Sequence, residues 1–262
     1  MKTTRTPSNN QSSDKLLKLV EFLATQSEPL RLVDISKALE MNNSTTLRFL
    51  TSLMNNGYLA QEPDTSKYYL TYKFCAIGVQ IKNHMKLSGM IYPSLREIAR
   101  ETGETTCLAI NQNDQVVYIN VVEAPGQVVK TMQRIGNIAP IHCTGIGKLF
   151  LSNYSEEQID DVIARHGLKK LTDNTITTKG ALLEETARIR QQGFAIDNKE
   201  CEKGTRCIAF PIYDYSDKII AGFSITGPAH RITDDFIEKW TPFLKESSSK
   251  LSYSLGYEAL LP

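Results

Sequence analysis

The chain has 262 residues, which is enough for one large domain or two modest ones with a sizeable core. Thirty Lys and Arg residues stand against 29 Asp and Glu residues, so the net charge of +1 does not by itself indicate a nucleic acid, a membrane or an acidic substrate. Hydrophobic residues make up 41% of the chain and charged residues 23%, a composition that excludes extended disorder and a membrane bundle.

Targeting signals and cysteine usage indicate the cellular compartment of the protein. No apolar run approaches the ~18 residues of a transmembrane helix, and residues 1–13 lack the apolar core of a signal peptide. We therefore expect a cytoplasmic protein with no membrane partner. The cysteines are odd in number and include no Cys-x-x-Cys pair, which predicts reduced thiols and argues against a disulfide framework and a four-thiolate zinc site. They are Cys75, Cys107, Cys143, Cys201 and Cys207.

The first 74 residues carry the pattern of three short helices followed by a β-hairpin. Residues 1–12 are too polar to bury much surface, and we expect them to form a flexible arm. Apolar positions with helical spacing follow over residues 14–26, over residues 33–39, and from an N-cap at Asn42 or Asn43 to about Asn55. Residues 58–61 and 67–70 are predicted to form two strands around a turn. This arrangement predicts a winged helix-turn-helix.

The third helix is the candidate recognition helix. Its apolar face consists of Thr46, Phe49, Leu50 and Leu53, at positions i, i+3, i+4 and i+7. The opposite face and the hairpin supply the candidate DNA-binding residues, which are Asn43, Ser44, Thr45, Leu47, Arg48, Thr51 and Lys67.

The chemistry of that face suits DNA. Hydroxyl and backbone N–H groups at a helix N-terminus favour phosphate. Arg48 can pair with guanine or neutralise phosphate, and Leu47 can touch a thymine methyl group. Residues 1–74 hold nine basic and seven acidic residues, and the resulting net charge of +2 supports DNA binding only mildly. The same three helices and hairpin also occur in modules that dock proteins.

The rest of the chain mixes helices and strands. A connecting helix is predicted over residues 71–86, and the later helices over residues 90–102, 145–151, 155–166, 181–192 and 233–255. Strands are predicted over residues 105–111, 116–123, 127–134, 194–196, 206–213 and 219–226. Ser155 and Gln158 form a capping box at the start of one helix.

Two segments of this half resemble catalytic motifs, and neither fits one. The run from Gly145 to Lys148 looks like the end of a phosphate loop, but His142 stands where glycine is required and Leu149 replaces the metal-binding hydroxyl. His142 and Cys143 are adjacent on a predicted extended strand, so they point to opposite faces and cannot easily share a proton.

An acidic cluster is the remaining candidate for catalysis. Asp197, Glu200 and Glu202 resemble paired catalytic carboxylates, but a solvated loop in which they cap a turn explains them equally simply. No acid and nucleophile pair can be assigned. We therefore expect no enzymatic activity, no cofactor and no metal.

A series of motifs resembles the IclR family of bacterial transcription regulators. In the first half these are Leu32-x-Asp34-Ile35-Ser36, Ser44-Thr45-x-x-Arg48-Phe49-Leu50, Leu53-x-x-x-Gly57-Tyr58 and Tyr68-x-Leu70-Thr71. In the second half they are Pro140-x-His142-x-Thr144-x-x-Gly147-Lys148, Arg188-x-x-x-x-Gly193-Phe194, Glu200-x-x-x-Gly204-x-Arg206-Cys207 and Ser224-Ile225-x-Gly227-Pro228. The chain departs from the family pattern at Glu40, where glycine is usual, and at Asn43, where lysine is common.

The resemblance implies an α+β fold with three parts after the arm. These are a winged helix-turn-helix DNA-binding domain over residues 13–74, a linker helix over 75–89 and a GAF-like α/β effector-binding domain over 90–260. It also implies a repressor of a catabolic operon that acts as a homodimer or homotetramer on double-stranded operator DNA. A small carboxylate or sugar acid would bind at Gly145, Ile146, Asp197, Cys207, Ser224 and Thr226.

Two alternatives remain open at this stage. The chain could be a non-regulatory α/β protein that binds or hydrolyses a ligand and docks a protein through its first module. It could also bind DNA but respond to oxidation through Cys201 and Cys207.

Overall fold

The computed structural model describes residues 11–84, 87–124 and 135–258. The chain divides after Lys86 into two compact units. Among the described residues, no helix is both long and apolar enough to cross a bilayer.

The first unit is a winged helix-turn-helix, as predicted. Its elements are α1 (Gln11–Ala24), α2 (Leu32–Ala38), α3 (Asn43–Asn55), β1 (Leu59–Gln61), β2 (Tyr68–Leu70) and α4 (Lys73–His84). The two strands pair antiparallel, and Leu30 adds a single bridge to Tyr68. The core is formed by Leu19, Leu23, Ile35, Phe49, Leu50, Leu53, Leu59 and Tyr68.

The helix boundaries refine the sequence prediction. The prediction for α3 is confirmed, and its N-cap is Asn42, whose Oδ1 accepts a hydrogen bond of 2.8 Å from the Thr45 amide. Helix α1 begins at Gln11, so the last two residues of the predicted arm are helical, and residues 1–10 lie outside the described part. The predicted linker segment contains the end of α4 and, after the undescribed residues 85 and 86, the start of a second helix at Leu87.

The turn between α2 and α3 holds Glu40 in a left-handed conformation, with φ of 51°. The amide of Met41 donates to the Ser36 carbonyl at 2.9 Å, and the Glu40 amide donates to the Lys37 carbonyl at 3.3 Å. These two bonds form a Schellman motif, in which the residue at the Glu40 position is usually glycine. The turn therefore has the geometry of a glycine turn but carries a side chain that makes this conformation costly.

Replacing Glu40 with Gly should raise the free energy of unfolding of the first unit by about 0.5–1 kcal/mol. A left-handed residue with a side chain costs about 1–2 kcal/mol, of which the greater backbone entropy of glycine cancels part. Urea unfolding measures the change. The matched control is Lys37→Gly, an exposed helical position where glycine should lower the stability. A destabilised Glu40→Gly protein would contradict the strain argument.

The second unit is a six-stranded sheet between two layers of helices. Its elements are α5 (Leu87–Thr102), β3 (Thr105–Gln112), β4 (Gln115–Val122), β5 (Ile138–Pro140), α6 (Gly145–Ser152), α7 (Glu156–His166), α8 (Lys179–Gln192), β6 (Ala195–Asn198), β7 (Thr205–Tyr213), β8 (Ile219–Pro228) and α9 (Asp234–Ser254). The strand order is β5-β4-β3-β8-β7-β6, and all neighbours are antiparallel.

The two faces of the sheet have different characters. Helices α5 and α9 cover one face, where Phe210 and Phe223 stack in a large apolar core. Helices α6, α7 and α8 belong to the core on the other face. There the inward positions of the strands are small, including Ala109, Ala195 and Ala209, so α6 can lie close to the sheet.

Most of the predicted elements of this unit are confirmed within a few residues. The capping box is present, since the Ser155 amide donates to Gln158 Oε1 at 2.9 Å and the Gln158 amide donates to Ser155 Oγ at 3.3 Å. The strand predicted over 127–134 lies outside the described residues. Strand β5 was not predicted, because three residues ending in proline carry no usable periodicity.

Candidate functional site

The exposed face of α3 is the first candidate site. Burial of Thr46, Phe49, Leu50 and Leu53 orients the helix as predicted. The predicted DNA-binding residues of α3 consequently lie on its outer side, where Asn43, Ser44, Leu47, Arg48 and Thr51 are exposed and Thr45 is half-buried.

The cap of α3 changes the role expected for one hydroxyl. Ser44 Oγ donates to Asn42 Oδ1 at 2.9 Å, so its proton is already used. The Thr45 amide also donates to Asn42 Oδ1, which leaves the amides of Asn43 and Ser44 in the first turn to donate to a phosphate. Ser44 can accept a bond there, or donate one only after leaving the cap.

Arg48 is the main cationic group of this face. Its guanidinium carbon lies 5.6 Å from the centroid of the Phe49 ring, a cation–π contact that restrains the side chain. No carboxylate pairs with Arg48 among the residues that the structure describes. The guanidinium is therefore available for a phosphate or a guanine edge.

The hairpin supplies the last predicted DNA-binding residue. Lys67 is half-buried at the end of the turn before β2, and its carbonyl accepts from the Glu62 amide at 2.8 Å. Two residues later, the Tyr69 side chain is 43% exposed. Tyr69 was not among the predicted DNA-binding residues, although the alternation along β2 could have identified it as an outward-facing residue.

The second candidate site lies on the α6 face of the sheet. The strand register aligns Asp197 with Cys207, Cys207 with Thr226, and Thr226 with Thr105 in one cross-strand row. Ser224 lies in the next row on the same face, and its hydroxyl is 3.4 Å from that of Thr226. The structure thus brings together the four predicted effector residues of the sheet.

The start of α6 reaches the same rows. A β-carbon at Gly145 would lie 3.0 Å from Cys207 Sγ and 3.1 Å from the Ala209 β-carbon, so glycine permits the close approach. The side chain of Ile146 packs against Gly222 of β8, two residues before Ser224. All six predicted effector residues therefore share one buried region.

Asp197 and Glu200 correct the prediction of a solvated acidic loop. Asp197 belongs to β6 and is 6% exposed, and Glu200 is equally buried, whereas Glu202 is exposed as predicted. Sequence reasoning did identify the capping role, since Asp197 Oδ1 accepts from the amides of Glu200 at 2.7 Å and Cys201 at 3.4 Å. The carboxylates are buried because α6, α8 and the segment before α8 cover this turn.

The electrostatics of Asp197 follow from that burial. Desolvation raises the pKa of Asp197 to about 7, and the negative charge of Glu200 adds to the rise. The two amide donors and the Lys148 ammonium oppose it. Near neutral pH a substantial fraction of Asp197 is protonated and can donate a hydrogen bond.

Sequence reasoning considered Lys148 only as part of a phosphate loop and missed its structural role in this region. Lys148 is fully buried in α6, and its Nζ donates to Glu185 Oε1 at 2.9 Å, to the Ile196 carbonyl at 2.6 Å and to Glu200 Oε1 at 2.5 Å. The available signal was a single charge inside the otherwise apolar helix. Because all three protons of the ammonium are used, Lys148 has no donor left for a nucleotide phosphate.

Buried cysteine thiols and the phenol of Tyr118 also lie near Asp197. Tyr118 was not predicted, yet its pKa is raised well above the usual value by burial and then by its neighbours Cys107, Cys207 and Cys201. Burial also raises the pKa of Cys107 to about 12 and raises the pKa of Cys207. These thiols stay protonated and are weak nucleophiles.

The oxidation hypothesis paired Cys201 with Cys207, but Cys201 has another thiol partner. Cys201 is the main cause of the raised pKa of Cys143, whose thiol also donates to the Pro140 carbonyl at 4.0 Å. Cys207 is buried beneath Gly145.

His142 and Cys143 lie in a turn, which corrects the predicted extended strand. His142 Nε2 is 3.1 Å from the Lys169 carbonyl, and burial lowers the pKa of the ring. Within the described ranges, no group of three or more His, Cys, Asp or Glu side chains is arranged to hold a metal ion.

Replacing Asp197 with Asn should stabilise the second unit at alkaline pH. The pKa of Asp197 is raised from 3.8 to about 7, so ionisation favours the unfolded state. Below pH 3.8 both states are protonated and the benefit disappears. The gain in the free energy of unfolding over the wild type should grow as the pH rises to about 7 and then level off at about 2–4 kcal/mol.

Urea unfolding from pH 4 to pH 8 measures this dependence. The control is Asp161→Asn on the exposed side of α7, which should not show the same rise. A difference between the wild type and the Asp197→Asn protein that does not change with pH would contradict the raised pKa.

Comparison with known proteins extends these observations. Residues 12–63 match the IclR helix-turn-helix domain, and residues 79–253 match the bacterial transcriptional regulator IclR C-terminal domain. The HTH-type transcriptional regulator KdgR of Escherichia coli (strain K12) is 31% identical over 251 residues, covering 96% of this chain and 95% of KdgR. The acetate operon repressor of Salmonella typhimurium is 31% identical over 248 residues, covering 94% of this chain and 90% of the repressor.

A solved structure shows the same fold. The crystal structure of the Thermotoga maritima IclR matches with a TM-score of 0.63 and 28% sequence identity, covering 94% of this chain and 99% of that chain.

Proposed function

The chain belongs to the IclR family of bacterial transcriptional regulators, and from this premise we propose that it represses a catabolic operon until a small carboxylate or sugar acid binds its second unit. Family membership makes it a DNA-binding transcriptional regulator with an effector domain, not an enzyme. The observation that carries the proposal is the buried polar row of Asp197, Cys207 and Thr226 beneath the start of α6.

For the DNA-binding unit, the proposal places α3 in the major groove. Arg48 would contact a guanine edge or a phosphate, and Leu47 a thymine methyl group. The amides at the start of α3 and the Lys67 side chain would hold the backbone. The guanidinium of Arg48, which pairs with no carboxylate of the described residues and lies on a face whose orientation is fixed by the core, supports these assignments.

For the second unit, the proposal assigns an acid to the polar row. Backbone amides at the start of α6, at Gly145 and Ile146, can receive a carboxylate. The protonated carboxyl of Asp197 can donate to it, and the hydroxyls of Ser224 and Thr226 can bond to polar groups of the same ligand. Lys148 would not touch the ligand, since its three donors are already used.

Regulation would require at least two chains. We propose a homodimer or homotetramer whose paired winged units read a partly palindromic operator. The acid would act by binding one arrangement of the units more tightly than the other, since a ligand shifts an equilibrium only through such a difference.

Replacing Arg48 with Ala should weaken binding to the operator about 10- to 100-fold, because a bidentate guanidinium contact is worth about 1–3 kcal/mol. Fluorescence anisotropy on a fragment from upstream of the gene, over a salt series, measures the loss. The control is Arg100→Ala, an exposed arginine of the second unit. If scrambled DNA binds as well as the native fragment, or if both variants bind like the wild type, the proposed interface is wrong.

A panel of acids tests the effector assignment. Acetate, pyruvate, glycerate and gluconate span small carboxylates with and without hydroxyl groups. At least one should raise the melting temperature of the wild type and release the operator fragment. The Asp197→Ala protein should bind the operator but lose this response, and the exposed control Glu202→Ala should keep it. A response that survives in the Asp197→Ala protein would place the effector elsewhere.

A further inference from the structure

The turn that carries Asp197 is tied to α6 by a buried ionic network. Lys148 is completely buried and donates to Glu200 Oε1 and to the Ile196 carbonyl, which flank Asp197 in the chain. Its third proton goes to Glu185 of α8. One ammonium group thus fixes the turn to two helices.

The turn itself is held from several sides. The Glu200 amide donates to Asp197 Oδ1 at 2.7 Å, and Lys199 between them adopts a left-handed φ of 62°. The Thr175 hydroxyl donates to the Glu200 carbonyl at 2.7 Å, and the Thr172 hydroxyl donates to the Lys199 carbonyl at 2.7 Å. The distance between the Asp197 and Glu200 carboxyls therefore has little freedom to change.

The network leaves negative charge next to Asp197. Lys148 serves two carboxylates, and Arg188 reaches only the second oxygen of Glu185. Glu200 Oε2 is buried and has no hydrogen-bond partner among the described residues. An unpaired, buried carboxylate oxygen disfavours a second negative charge nearby.

Glu200 is not the only group that faces Asp197. The titratable and charged groups around it are Glu200 and Cys201 of its own turn, Lys148 of α6, Cys143 of the turn before α6, Cys207 of β7 and Tyr118 of β4. The pKa of Cys143 is raised chiefly by Cys201 and then by burial, and burial raises the pKa of Cys207 and Tyr118, so these three stay neutral. The charge of Glu200 opposes the ionisation of Asp197, whereas the Glu200 amide and the Lys148 ammonium favour it.

We propose that Glu200, anchored by Lys148, is a positioning residue whose amide orients the Asp197 carboxyl and whose side-chain charge adds to burial in keeping that carboxyl protonated as a hydrogen-bond donor. That the donor serves an anionic effector rests on the function proposed above. The affinity for a carboxylate should then fall as the pH rises through about 7, where Asp197 ionises. Loss of the Glu200 charge should move this fall to lower pH.

The direct test is the titration of Asp197 in the full-length protein without any ligand. Carbon-13 NMR of protein labelled at the aspartate carboxyl carbons follows it, and loss of one signal in the Asp197→Asn protein assigns it. The test variant is Glu200→Gln, whose amide oxygen can still accept from Lys148. The matched control is Glu202→Gln, an exposed residue of the same chain segment.

In the wild type and in Glu202→Gln, the midpoint for Asp197 should lie near pH 7. In Glu200→Gln it should fall by about one pH unit. An unchanged midpoint in a folded Glu200→Gln protein, or a wild-type midpoint near the ordinary value of 3.8, would overturn the proposal.

Calorimetric titration with pyruvate at pH 5.5, 7 and 8 adds the functional measurement. Glu200→Gln should bind like the wild type at pH 5.5 and several-fold more weakly at pH 7, where more of its Asp197 is ionised. Equal weakening at every pH would indicate a purely structural role and overturn the claim on protonation. Absence of pyruvate binding in all proteins would count against the proposed effector class, while the NMR titration would still decide the role of Glu200.

Discussion

The second unit depends on the burial of one positive charge. Desolvating the Lys148 ammonium costs several kcal/mol, and only a complete set of acceptors can compensate for it. Two carboxylates and one backbone carbonyl supply that set from α8, from the turn after β6 and from β6 itself. Removing any one of them would leave one proton of the buried ammonium without an acceptor, which makes these elements mutually dependent.

This dependence explains why the α6 face is built from small residues. The ammonium can reach β6 only if α6 lies close to the sheet, and the close approach is possible because Gly145 and Ala209 offer no bulk. Gly147 is equally constrained, since a β-carbon there would lie 2.2 Å from the Ile141 carbonyl oxygen. The ionic network and the polar row beneath the start of α6 are therefore two results of the same packing.

The sequence predicted those parts of the fold that depend on local patterns. The periodicity of α3 and the capping box at Ser155 are written within a few neighbouring residues, and the structure confirms both. The partners of Lys148 are Glu185 and Glu200, which lie 37 and 52 positions further along the chain. The burial of Asp197 depends on the same distant packing, which no local sequence pattern reports. The DNA-binding residues are assigned from the outer face of α3 and the hairpin, and the effector residues from the family resemblance. Both sets remain predictions.

The central strand pairing has a consequence for the order in which the chain acquires its structure. Thr105 of β3 pairs with Thr226 of β8, so the middle of the sheet cannot form until β8 has been synthesised. The first unit closes its core with much shorter loops, and such local folds form faster. On the ribosome, the winged helix-turn-helix can therefore form while the effector domain is still an open chain. A nascent or truncated chain can then present α3 before the effector domain exists.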